Sequence, residues 1–455
     1  MSRCLAALVL AAFLVPRSAR PEGRPDILLV VIESCRRDHV GAYGYGRPTT
    51  PNFDRLTREG ILFEQAVAAS SWTMPSVMSL FTSVVPSRHG AVDYESALKA
   101  GLTTVAAELK AAGYQTAAFT ANPTMSRRYG FDRGFDLYDD RSAVMAAELD
   151  FFEGREAGDP AGVHNRDVSD RLTDLALGWL RERRDPKRPF FLHLFYMDPH
   201  YDYTPVPPFD GLFTDPEYDG AQDGRGIKAL RGKALTEKDK AQIVALYDGE
   251  LRFTDQEIGR LLDTMKAMGL DRDLLLVVVG DHGEEFWDHG GVIHGHTLYD
   301  ELVRVPLLVR CPGRLGGGRR VDSMVGEIDL MPTLLEMAKA KVPEQCEGRS
   351  LLPLLAGGGD WAERPLVIET SIEAHLRAVR TSTRKLVEAA GHGPEMYALG
   401  EDPLEQRNLA GTEREKEFEA LKRALSAPPA PARGGPPVPP DADLLRRLKS
   451  LKYVQ

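Results

Sequence analysis

Five short runs of Val, Leu, Ile and Phe, each nearly free of polar residues, constrain the fold of this chain more than any other feature. They are Asp26 to Ile32, Tyr114 to Phe119, Phe190 to Tyr196, Leu274 to Val279 and Val305 to Val309. A strand with water on one face alternates apolar and polar residues, whereas a run that is apolar throughout suits a strand covered on both faces. Between the runs lie helix-like stretches, Asn52 to Glu59, Thr103 to Ala112, Val168 to Arg184, Glu237 to Met268 and Asp329 to Ala338, several opened by capping residues. The alternation predicts an α/β/α sandwich on a large central sheet. With 455 residues, 43% of them hydrophobic, the chain can bury a large core.

The boundaries follow from changes in pattern. Residues 24–360 carry the strand and helix alternation, interrupted from Asp210 to Lys240 by a Gly-, Asp- and Lys-rich surface excursion. Residues 361–426 switch to short β-like pieces (Pro365 to Glu369, Arg377 to Thr381, Lys385 to Glu388), which predicts a smaller C-terminal α+β subdomain. Residues 427–455 hold a Pro- and Gly-rich stretch and a last short helix, Ala442 to Leu451. Residues 1–20 begin with Met1-Ser-Arg and a 12-residue apolar run, Cys4 to Val15, the form of a secretory signal or an N-terminal tether and too short to span a bilayer. Export to a periplasm or the exterior is the expectation, with no transmembrane helix. On that expectation two of the three remaining cysteines, Cys35, Cys311 and Cys346, could pair. Four cysteines without a CxxC exclude zinc fingers, iron–sulfur clusters and disulfide scaffolds. A formal charge of −10 argues against a nucleic-acid partner held by bulk charge.

In an open α/β sheet, ligands collect at the carboxyl ends of the strands. Here those ends deliver Glu33, Asp198 with His200, and Asp281 with His282. Any one of them alone is more often a cap or ion-pair partner; three strand ends converging form an oxygen and nitrogen set for one divalent cation, Mn²⁺, Zn²⁺, Mg²⁺ or Ca²⁺. In Ser70-Ser-Trp-Thr-Met-Pro-Ser76, Pro75 suits the first turn of a helix, so Thr73 sits by free N–H groups that can cradle an anion. A Thr hydroxyl that also touches the cation becomes a nucleophile; otherwise Ser71 or Thr73 merely caps the helix. Five of the 11 histidines, His200, His282, His289, His294 and His296, crowd these motifs. His200 and His296 are the expected substrate contacts and His294 the alternate.

These residues resemble the sulfatase family of the alkaline phosphatase superfamily. The similarity runs through Arg24 to Glu33, Arg37-Asp-His-Val-Gly-Ala-Tyr-Gly-Tyr45, Thr50 to Gly60, Pro86-Ser-Arg-His-Gly90, Met197-Asp-Pro-His200, Gly280-Asp-His-Gly-Glu284, Tyr299 to Pro306 and Tyr397 to Pro403, in the family's order. It implies an alkaline-phosphatase-like fold and a metal-dependent ester hydrolase. Family sulfatases oxidise a Cys or Ser, in a Cys/Ser, any residue, Pro, Ser, Arg pattern, to formylglycine. Here that position is Thr73 and the Arg position is Val77, so formylglycine is not expected. The family's adjacent Asp pair after the first strand is Glu33-Ser34, the stretch Phe81-Thr-Ser-Val84 carries no charge, and His296 stands for the usual Lys. Glu33, Thr73, Asp281 and His282 resemble instead the single-metal sites of lipoteichoic acid synthases and lipid A phosphoethanolamine transferases, which use a Thr nucleophile.

The chemistry of the ester favours phosphorus. A hydrated aldehyde can expel sulfate by elimination, but a sulfate on Thr has no such exit, whereas a phosphoryl group on Thr can be displaced by water or an alcohol. The expectation is therefore cleavage or transfer of a phosphate ester, with sulfate esters second, on a glycan- or lipid-linked substrate or a small alcohol. The rival readings are a true sulfatase and a catalytically silent relative that binds a glycan or envelope component.

Overall fold

The computed structural model describes residues 23–142, 168–358, 361–426 apart from 374, 390–392 and 413, and 441–450. The expected leader, the Pro-rich stretch 427–440 and residues 451–455 lie outside the described residues. Ten strands belong to the first part of the chain: β1 (Asp26–Ile32), β2 (Ile61–Val67), β3 (Gln115–Thr120), β4 (Leu137–Asp139), β5 (Phe190–Tyr196), β6 (Leu274–Gly280), β7 (Glu285–Phe286), β8 (Val292–Ile293), β9 (Arg304–Arg310) and β10 (Arg319–Gly326). Eight form one sheet in the order β10-β2-β9-β6-β1-β5-β3-β4, and β7 pairs with β8 in a small hairpin. Within the large sheet β9 runs against both of its neighbours and every other pairing is parallel.

The central strands are buried at every position, as their unbroken apolar runs require. Each fully buried Leu, Ile or Val in β1 contributes about 2 kcal/mol by leaving water. Helices Pro51–Leu56, Ser169–Glu182 and Glu237–Ala267 pack as one group, and Thr73–Thr82, Val105–Ala111 and Leu330–Met337 as a second, giving the sandwich its outer layers. The 31-residue helix Glu237–Ala267 starts in a capping box, Thr236 and Asp239 each accepting from the other's backbone N–H.

Within the large sheet, the strands that the apolar runs do not mark are β2, β4 and β10. Each has a physical reason to be quiet. β4 is a three-residue edge strand; β10, at the opposite edge, places Arg319, Arg320 and Asp322 among its apolar residues; β2 is interrupted by Glu64, which pairs with Arg37 and Arg320. The excursion before the long helix carries only short helical turns, at Phe209–Gly211 and Ile227–Leu230.

The C-terminal subdomain is an antiparallel meander of β11 (Leu366–Thr370), β12 (Leu376–Arg380), β13 (Lys385–Ala389) and β14 (Glu395–Tyr397), covered by helix Glu415–Ser426 through Leu421 and Leu425. A buried ionic group joins it to the sandwich: Asp300 pairs with Arg380 and with Lys385, and Lys385 with Glu405. The last helix, Ala442–Ser450, returns to the sandwich beside Pro123–Met125. Cys35, Cys311 and Cys346 are all free thiols, so the pairing that export would permit is not made between any two of them.

Candidate active site

Four strand ends and one helix start meet at one point. Glu33 follows β1, and its carboxylate accepts both Asn122 Nδ2 bonds, 2.7 and 2.8 Å to its two oxygens, from the loop after β3. Thr73 opens the ten-residue helix Thr73–Thr82 and donates from Oγ1 to Glu33 Oε1 at 2.9 Å. Asp281, at the end of β6, accepts at Oδ1 from the backbone N–H of Ser34 (3.0 Å) and of His282 (2.8 Å). Ser34 lies in the left-handed region at φ 51°, and that turn aims its N–H at Asp281. Gly283 admits no side chain, since a Cβ would stand 1.9 Å from the carbonyl oxygen of Glu301.

His282 has a defined tautomer. Its Nδ1 lies 2.8 Å from the carbonyl of Gly283 and must donate, which leaves a lone pair on Nε2, 3.3 Å from Thr73 Oγ1 and 3.4 Å from Asp281 Oδ2. Glu33, Asp281 and His282 each direct one ligand atom into a single space, these atoms lying within 4.8 Å of one another. Asp281 Oδ2 is buried there with no hydrogen-bond donor. Two carboxylates, one imidazole nitrogen and a hydroxyl, with one orphaned oxygen among them, fit a divalent cation.

The electrostatics agree. Burial, then the charge of Asp281, hold Glu33 well above the usual carboxyl range, against the hydrogen bonds from Asn122 and Thr73. Burial raises Asp281 to about 8 and Glu284 to about 8. His282 and His200 are pushed well down by burial and by His294, and His294 itself falls to about 3 by burial and by the charges of His296, Lys228 and Arg231. The cluster therefore favours protons on its carboxyl groups and neutral imidazoles; a cation would displace the carboxyl protons and find the imidazoles already neutral.

The sequence-predicted residues separate into two sets. Glu33, Thr73, Asp281 and His282 come together, with His200 Nε2 3.7 Å from Glu33 Oε1. The ring of His294 lies 4.4 Å from that of His282 and 5.5 Å from that of His200, and its Nδ1 meets Glu284 at 2.9 Å. His296 stands at the rim, its Nε2 bound to Glu285 at 2.7 Å, so the structure brings the alternate, His294, further into the cluster than His296. His289 is turned away to Glu301. Asp198 is also turned away: it accepts from the backbone N–H groups of Val168 and Ser169 at the start of a helix.

Asn122, Glu284 and Glu327 escaped sequence reasoning. Asn122 ends a strand that was recognised, two residues after Thr120, and applying the strand-end rule to β3 as well would have found it. Glu327 has no sequence signal. Ser76 Oγ lies 2.5 Å from the carbonyl oxygen of Asp281 and 2.8 Å from both Glu327 oxygens. One serine proton cannot serve two acceptors, so Glu327, raised well above its ordinary range by burial, carries the second. That bridge fixes the helix start against the end of β6.

The family model described as Sulfatase matches residues 25–340, and one described as N-sulphoglucosamine sulphohydrolase, C-terminal, matches residues 288–427. The chain belongs to the sulfatase family. Among curated sulfatase relatives, an N-acetylglucosamine-6-O-sulfatase of Bacteroides thetaiotaomicron is 26% identical over 90% of this chain and 86% of its own length. A multifunctional alkaline phosphatase superfamily protein of Trinickia caryophylli is 27% identical over 85% of this chain and 91% of its own. Among solved structures, a phosphonate monoester hydrolase of Agrobacterium radiobacter superposes with a TM-score of 0.73 at 22% identity, over 88% of this chain and 95% of the other. This sulfatase-family member is thus a hydrolase of the class that acts on sulfuric or phosphoric esters. No helix among its described residues is long and apolar enough to cross a membrane.

Proposed function

We propose that this chain cleaves or transfers a phosphate-type ester through Thr73. The observation that carries the reading is the position of a threonine hydroxyl, not a Cys or Ser: Thr73 Oγ1 occupies the helix start, 2.9 Å from Glu33 Oε1 and 3.3 Å from His282 Nε2. Glu33, Thr73, Asp281 and His282 would hold one divalent ion. When bound, that ion lowers the proton affinity of the Thr73 hydroxyl and draws charge from the ester oxygens.

Attack by Oγ1 on phosphorus forms a Thr ester and breaks the bond to the leaving alcohol. The Thr73 proton has a carboxylate in place to take it, Glu33 Oε1. Free N–H groups of the first helical turn would meet the equatorial oxygens, where the helix dipole would stabilise negative charge. His200 and His294 flank the same space; as neutral imidazoles each can present one N–H, to steady the transferring oxygens or to protonate the departing alkoxide. Attack by water or a second alcohol at phosphorus then restores the Thr73 hydroxyl.

Initial rates of metal-stripped protein reloaded with Mn²⁺, Zn²⁺, Mg²⁺ or Ca²⁺, on p-nitrophenyl phosphate, a phosphate diester and p-nitrophenyl sulfate, test the reading. Phosphoester turnover should require metal and fall by about 10³-fold or more in Thr73→Ala. A Thr73→Ala protein that keeps most of its activity would sink it. Sulfate hydrolysis is the second reading, favoured by the match of residues 288–427 to the N-sulphoglucosamine sulphohydrolase C-terminal family, and predicts sulfate turnover above phosphate turnover. No turnover with any metal would favour a binding protein.

A further inference from the structure

Glu327 takes no part in the proposed reaction, yet it is buried beside the site, in the turn Glu327–Asp329 that follows β10 and packs on helix Thr73–Thr82. No Lys, Arg or His among the described residues forms an ion pair with it, and a carboxylate buried without a cation is costly. Its hydrogen bonds show where its proton lies. Oε1 accepts the backbone N–H of Ala69 at 2.8 Å, which leaves Oε2 to carry the hydrogen. That hydrogen enters a lone pair of Ser76 Oγ, 2.8 Å away, and frees the serine hydroxyl to donate to the carbonyl oxygen of Asp281 at 2.5 Å.

The chain of donors does not stop at that carbonyl. The same peptide group presents the N–H of His282 on its other side, and this N–H donates to Asp281 Oδ1 at 2.8 Å. A carbonyl that accepts a hydrogen bond makes its own amide a better donor, so each link strengthens the next. With Oδ1 held there and by the N–H of Ser34, Oδ2 is the oxygen left for the space shared with Glu33 and His282. Ser76 also stands about one helical turn after Thr73, so the same link ties the nucleophile's helix to the carboxylate. Ser76, Asp281, His282 and Glu327 are all buried, so a missing link leaves a polar group unpaired.

We infer that Glu327 is a positioning residue that works as a neutral acid: it is the first donor of a relay, through Ser76 and the peptide group between Asp281 and His282, that sets the Asp281 carboxylate for the metal. The inference rests on the reading that Asp281 helps to hold a divalent ion. It makes the hydrogen at residue 327 necessary and its charge dispensable.

Calorimetric Mn²⁺ titrations, and hydrogen exchange at the His282 amide of the metal-free protein, both on the full chain, test the relay. Glu327→Gln keeps a donor for Ser76 and an acceptor for the Ala69 N–H, so its Mn²⁺ affinity should stay within about twofold of wild type and its His282 exchange should match. Glu327→Leu removes both; affinity should fall by about tenfold or more and His282 exchange should quicken by about tenfold. Ser76→Ala, a smaller change, should repeat the Glu327→Leu pattern and serves if that variant does not fold. Glu327→Gln as damaged as Glu327→Leu would show that residue 327 acts through its charge and overturns the inference, as would Glu327→Leu and Ser76→Ala proteins that exchange and bind like wild type. A wild type that takes up no Mn²⁺ yet shows the exchange pattern sinks the metal reading and keeps the relay. Mn²⁺ uptake with no difference in exchange among the variants does the reverse.

Discussion

Asn122 Nδ2 reaches both oxygens of Glu33. Asn122→Leu keeps the volume and removes both donors, so Glu33 should turn and metal affinity should fall by about 10- to 100-fold; a metal titration unchanged from wild type would refute this. Protons give a second handle. In the metal-free protein Asp281 and Glu284 keep theirs to about pH 8, whereas unfolded carboxyls release them near 4. Between those values the folded state binds more protons than the unfolded one, so metal-free stability should fall as pH rises from about 4 towards 8, read as a falling Tm. A cation must displace the Asp281 proton, so metal affinity should rise about tenfold per pH unit between pH 6 and 8 for each proton released, read by titration in buffers of different ionisation heat. At this scale the sequence disclosed Glu33, Thr73, Asp281, His282 and His200, because each stands at a strand end or helix start that patterning exposes. It ranked His296 above His294, and the structure reverses that order, since two residues on one loop differ only in where the turn at Ile293, φ 64°, points them.

The elements that patterning found are those buried on both faces, and the ones it lost are edges and interrupted strands, where charges are affordable because one side meets water or an ion pair. The C-terminal meander was legible as β pieces, but its attachment was not. Lys385 is wholly buried between Asp300 and Glu405, and such a pairing of residues 85 positions apart has no local signal. Removing one side of a buried ionic group strands the others, so Lys385→Met should destabilise by about 3–5 kcal/mol in a denaturant titration. Lys385→Met combined with Glu405→Gln, which removes charge of both signs, should recover part of that loss; a single variant with an unshifted midpoint would mean the joint contributes little.

Across the whole molecule the two parts share a core. Val67, Leu298, Leu302, Val303 and Met324 of the sandwich pack with Leu366, Ile368, Ala378 and Val387 of the subdomain in one apolar cluster. A chain ended at residue 360 should therefore aggregate or melt without a sharp transition, and a cooperative melt at the temperature of the full chain would show the sandwich to be self-sufficient. The strand order carries a different consequence, in the time of synthesis. β1 is made early, but its two neighbours are β5 and β6, and Ser34 waits 247 residues for the carboxylate its N–H holds. At roughly 5–20 residues per second that is about 12–50 s during which β1 lacks one of its two neighbours, β5 being made before β6. A nascent chain stalled near residue 270 would already contain Glu33, Thr73, Asn122 and His200, and would have no centre for them to surround. Reactivity thus arrives late and all at once, when β6 slides in beside β1, and until then the growing polypeptide depends on whatever shields β1 from other chains.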